Sequence, residues 1–138
     1  MANIIEKLMK VDAGAIDQRE VRTFASHRLA RILGEKKPVE LEIEELPYRQ
    51  VSEIMTSTVK NDGTLDFNRK VDAELRLVLA AVKNINFKNK DLQKKFGCAT
   101  PKDLAEKLLE GETPQIAQVV LTMAGYTDEE EEIEEVKN

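Results

Sequence analysis

Residues 88–126 read KNKDLQKKFGCATPKDLAEKLLEGETPQIAQVVLTMAGY, and this stretch decides the fold. Gly97, Gly111 and Gly125 recur at fourteen-residue intervals, and Thr100-Pro101 and Thr113-Pro114 follow the first two. A threonine before a helix accepts a bond from a free backbone N–H of the first turn. Proline in the next position loses nothing, since its missing N–H would have been unpaired. Glycine after the last turn takes the left-handed conformation that ends a helix without a Cβ clash. The punctuation therefore predicts three short helices, about Lys90–Phe96, Pro101–Glu110 and Pro114–Ala124. Their connectors are so short that the helices must pack on one another.

Apolar spacing agrees. Leu92 and Phe96 share a face of the first helix, and Leu104, Ala105, Leu108 and Leu109 share a face of the second. On the third, Ile116, Val119, Val120 and Met123 stand at i, i+3, i+4 and i+7. The plainer expectation is that these residues are core. The apolar arc of the third helix is wide, however, because Ala117, Leu121 and Ala124 lie off the main stripe. That width makes Ile116, Val120 and Met123 candidate partner-binding residues.

Working outward, 138 residues is the length of one domain that can bury a core without disulfides or metals. Apolar residues make up 41% and charged residues 34%, a balance suited to amphipathic helices in water. The longest apolar run, Leu77–Val82, is far too short to span a bilayer, and the first residues lack the pattern of a secretory signal. The single cysteine, Cys98, excludes an internal disulfide and fits a reducing compartment.

The net charge of −5 is unevenly placed. Thr127–Asn138 holds seven acidic residues and one lysine, which leaves the preceding 126 residues with 20 basic and 19 acidic side chains. A near-neutral body generates no broad positive field for phosphate backbones. Aromatic residues are only 4%, too few for a base-stacking platform. The expected organisation is thus a folded domain over residues 1–126 and an acidic, disordered tail over residues 127–138. Blocks of like charge usually stay solvated. The tail either solubilises the chain or, through Asp128, Glu129, Glu130, Glu131 and Glu132, contacts a partner.

Ahead of the helical trio the pattern is mixed. Ile4 with Leu8 and Ile5 with Met9 predict a short amphipathic helix, or a terminal arm that docks on something, within residues 1–18. Residues 19–60 read as strand, helix, strand, helix. The first strand falls near Glu20–Phe24. A helix His27–Leu33 follows, with Ser26 as its cap, Gly34 as its end, Leu29, Ile32 and Leu33 inward, and Arg28 and Arg31 outward. Val39–Glu44 alternates apolar residues with glutamates, the mark of a half-buried strand. Pro47 opens a helix to about Val59 with Val51, Ile54 and Met55 inward. Asn61-Asp62-Gly63 is a turn, Phe67 is expected to anchor the segment after it, and Arg69–Asn84 is expected to be the longest and most central helix. The fold class is mainly α, of the α+β kind: a compact bundle of about six helices with a two-stranded β element in the N-terminal half.

Reactive chemistry finds little support. The lone histidine, His27, sits at a helix start. The glutamate row Glu40, Glu42, Glu44 has no histidine or aspartate spaced to complete a metal shell, and it reads as a solvated strand face. Aligning Gly63 with the glycine of a calcium loop puts Arg69 where the bidentate glutamate belongs. There is no phosphate-binding glycine loop, nucleophile elbow or Cys/His spacing. No catalytic, cofactor or metal residues are assigned. Three classes remain: a protein that shields another chain, a small helical DNA-binding regulator, and a structural subunit of a larger assembly. The regulator rests on the loose helix-turn-helix look of Ser26–Gly34, but a glutamate-faced strand follows where a recognition helix belongs.

The order of motifs resembles the XkdN-like tail assembly chaperones of contractile-tailed phages and phage-like elements of Gram-positive bacteria. The resemblance covers most of the chain. Its most specific part is Lys90–Leu104, then Lys107-Leu108-Leu109, Gly111-Glu112, Ile116 and Gly125-Tyr126. The chain departs from the family pattern by inserting Thr113-Pro114-Gln115 and by carrying Glu110 where a proline often precedes the glycine. The resemblance implies a morphogenesis factor of the bacterial host's cytoplasm that is absent from the finished particle. It implies binding to the tape measure protein, which is kept soluble until the tail tube polymerises, with the tail tube protein as a second partner. The residues themselves give no expectation of a cofactor, nucleic acid or membrane, and self-association is left open.

Overall fold

The computed structural model describes residues 3–126. Among them run, in chain order, α1 (Ile4–Lys10), β1 (Val21–Ser26), α2 (His27–Leu33), β2 (Val39–Glu44), α3 (Tyr48–Thr56), α4 (Phe67–Ala81), α5 (Lys90–Lys95), α6 (Pro101–Leu109) and α7 (Thr113–Met123). One 3-10 turn, Ala13–Asp17, links α1 to β1, and another, Glu110–Glu112, joins α6 to α7. The expected mainly α architecture with a two-stranded antiparallel sheet is what the chain adopts. The acidic tail lies outside the described residues.

The core forms around α4. Its buried face carries Ala73, Leu75, Leu77, Val78 and Ala81, and it packs chiefly on α7, then on α6 and α3. β2 lies against the same helix and inserts the fully buried Leu41 and Ile43, while Glu40 and Glu42 face solvent. β1 pairs with β2 in the register Val21↔Glu44 to Ser26↔Val39. The opposite edge of β2 is closed by the chain leaving α4. Lys83 donates its N–H to the Glu42 carbonyl, and the Asn84 side chain accepts from the Glu42 N–H and donates to the Glu40 carbonyl.

Three local expectations are corrected by packing. The longest helix runs Phe67–Ala81 rather than Arg69–Asn84, because Asp66 caps it early by accepting from the N–H groups of Asn68 and Arg69, and Val82 leaves to bridge Ile43. Phe67 is accordingly no anchor and stands 76% exposed. In α2 the inward residues are Leu29 and Ala30, whereas Ile32 and Leu33 are exposed. In α5 the buried residue is Gln93, whose amide donates to the Phe87 carbonyl, while Phe96 lies at the surface.

The three-glycine punctuation holds at two of its positions. Gly97 and Gly125 adopt φ of 68° and 92°, and Thr100 accepts the Asp103 N–H at the start of α6. The middle junction is built differently. Gly111 is not left-handed; Glu110 takes φ 47° and ψ −121° instead. Thr113 is the first residue of α7 rather than its cap, and its hydroxyl is buried without a protein hydrogen-bond partner. The reason lies across the molecule, where Glu112 is engaged by α2.

A candidate protein-docking surface

Two charged residues join α2 to the α6–α7 junction. The Glu112 carboxylate accepts from the Ser26 hydroxyl at 2.6 Å and from the backbone N–H groups of His27 at 3.0 Å and Arg28 at 3.2 Å. It thereby satisfies donors that a helix start leaves free, and its negative charge suits that end of the helix dipole. In return the Arg28 guanidinium donates to the carbonyls of Leu108 at 3.1 Å and Lys107 at 2.8 Å, at the end of α6. Arg28 is thus not on an outward face. Ser26 is fully buried and also caps α2 by accepting the Leu29 N–H. This clasp is structural: both Glu112 oxygens and two of the three Arg28 guanidinium nitrogens bond to other parts of the chain.

With that junction locked, the candidate residues of α7 point inward. Ile116 and Val120 are fully buried and Met123 is 8% exposed, all within the core cluster. In this structure they form part of the core. The cause is that α7 packs along α4, so the width of its apolar arc is used within the molecule. Asp128, Glu129, Glu130, Glu131 and Glu132 lie outside the described residues.

Unpartnered apolar surface is found at the other end of the chain. In α1, Ile4, Ile5, Leu8 and Met9 project from one side with exposures of 62–81%, and Glu6, Lys7 and Lys10 fall on the other. Asn3 caps the helix by accepting the Glu6 N–H at 2.9 Å. No residue of α1 or of the following 3-10 turn is buried. A short helix is marginal in water by itself and gains its stability by burying an apolar face. Among the described residues the apolar face of α1 stays open. Of the two expectations for this segment, the structure shows the short amphipathic helix.

A cleft of about 290 Å³ lies between the first half of α4 and the α6–α7 junction. Its walls include Val71, Leu75 and Pro114, its mouth carries the exposed Phe67, and Glu74, Glu106, Glu110 and Lys70 supply its charges. Burial raises the Glu74 carboxyl above the ordinary glutamate range, an effect that Lys70 only partly offsets. Sequence reading missed this cleft, because it joins residues more than thirty positions apart and Phe67 looked like core. Across the surface, Tyr48 stacks on Tyr126 with ring centroids 5.6 Å apart, and the Tyr126 hydroxyl raises the Tyr48 phenol above its usual range. Among the described residues no group of acidic, histidine or cysteine side chains is arranged to hold a metal ion, and no helix is long and apolar enough to cross a membrane.

Residues 5–137 match the family described as phage XkdN-like tail assembly chaperone protein. The crystal structure of the protein yqbn is similar in fold, with a TM-score of 0.53 at 15% identity over 78% of this chain and 88% of that one. No curated protein matches in sequence.

Proposed function

Because the chain belongs to the phage XkdN-like tail assembly chaperone family, we propose that its client is the tape measure protein, held soluble until the tail tube polymerises around it. The observation that carries this reading is the open apolar face of α1, formed by Ile4, Ile5, Leu8 and Met9. A long helical client with an apolar stripe aggregates unless that stripe is covered. Short amphipathic helices cover such stripes reversibly, through anchors spaced at helical intervals. Release to the growing tube requires modest affinity at each contact, which suits a small patch repeated by many copies along one client. The acidic run Asp128–Glu132 serves as a solubilising extension of the complex, and the tail tube protein is a second, later partner. The setting is the cytoplasm of the bacterial host.

Co-expression with a phage tape measure protein tests this. Soluble tape measure yield is expected to rise, with co-purification of the two chains, and the doubly substituted Leu8→Asp/Met9→Asp chain is expected to lose most of the gain. No rise in yield and no co-purification with the unsubstituted chain sinks the proposal. Detection of the chain in purified tails by mass spectrometry would instead favour a structural subunit.

A further inference from the structure

We infer that, without a client, the α1 arm of one copy seats in the α4/α6–α7 cleft of a second copy, so that the chaperone caps its own greasy arm as a reciprocal dimer. The inference uses the arm's open face and does not depend on which client it later meets. Apolar groups match: the arm offers an i, i+4 pair, Ile4 and Leu8, and the cleft walls offer Val71, Leu75 and the exposed Phe67. The cleft's size suits two branched aliphatic side chains rather than an entire helix.

Charges match as well. α1 carries Lys7 and Lys10 against the single Glu6, whereas the cleft lining carries Glu74 and Glu106 against Lys70, with its Glu110 already 3.9 Å from the Arg28 guanidinium. Burial raises the Glu74 carboxyl despite the nearby Lys70, and a further ammonium beside it would favour its charged form. Among the described residues neither is occupied, since α1 buries no residue and the cleft is open. Exchange of two identical arms about a two-fold axis closes the assembly, because each copy gives one arm and receives one.

The test uses the full chain without client. Sedimentation at rising concentration is expected to show a monomer–dimer equilibrium that weakens with salt, as complementary exposed charges require. An arm variant, Ile4→Asp/Leu8→Asp, and a cleft variant, Glu74→Lys/Glu106→Lys, are each expected to be monomeric and, by circular dichroism, folded. Mixed together they retain one intact arm and one intact cleft, so a one-to-one heterodimer is expected. In a Cys98→Ser background, Leu8→Cys with Phe67→Cys is expected to cross-link between chains. A wild-type monomer at all concentrations, a dimer indifferent to the arm substitutions, no heterodimer on mixing, or a cross-link only within one chain overturns the inference.

Discussion

At the α2 N-terminus one carboxylate, that of Glu112, accepts three hydrogen bonds from residues more than eighty positions away in sequence. Its loss leaves the buried Ser26 hydroxyl and two N–H groups without that acceptor. Glu112→Ala is expected to lower unfolding stability by about 2–3 kcal/mol, since charge-assisted bonds and unsatisfied buried donors each weigh in that range. A urea titration with unchanged slope and a lower midpoint checks it. Glu110 presents the opposite case. Its φ of 47° with ψ −121° is a conformation that glycine adopts freely and a side chain does not. Glu110→Gly is expected to gain about 1 kcal/mol by relieving that strain, read as a raised melting temperature. The same substitution removes one acidic group from the cleft, so gained stability with weakened dimerisation would separate the residue's two roles.

Among the elements, α1 and α7 exchanged the parts that their sequences promised. Both are amphipathic; α7 is the longer and the more apolar, and it looked the better candidate for docking. The fold uses α7 internally because the clasp between Glu112 and α2 fixes where α7 starts and lays it along α4. Among the described residues no comparable bond ties α1 to the body, and none of its side chains is buried. Removing residues 1–11 is therefore expected to leave the urea midpoint of dilute protein within about 0.5 kcal/mol of the full chain, while client solubilisation is lost. The sheet shows a similar division. Alternation in Val39–Glu44 made the strand and its inward face legible, but the closing of its far edge by Asn84 depends on where α4 ends.

For the molecule as a whole, charge is partitioned between a balanced body and an acidic terminus. Deleting Asp128–Asn138 is expected to bring the net charge close to zero and lower solubility near neutral pH, measured as a lower precipitant concentration at the solubility limit. Unchanged precipitation would mean that the terminus has no solubilising role. The body itself needs no metal or disulfide to hold together, since α4, β2, α6 and α7 share one continuous apolar core.

By itself the sequence determined the fold class, the caps Ser26, Gly34 and Thr100, the inward faces of β2, α3 and α6, and the family, because these depend on residues a few positions apart. Capping geometry, helical periodicity and strand alternation are local physics and can be read locally. Only the tertiary structure decided that Ile116, Val120 and Met123 are core, that Arg28 and Glu112 form a clasp, that Phe67 is exposed, and that α1 buries no side chain among the described residues. An apolar face looks the same in sequence whether or not another element covers it. What covers it is set by packing between segments far apart in the chain.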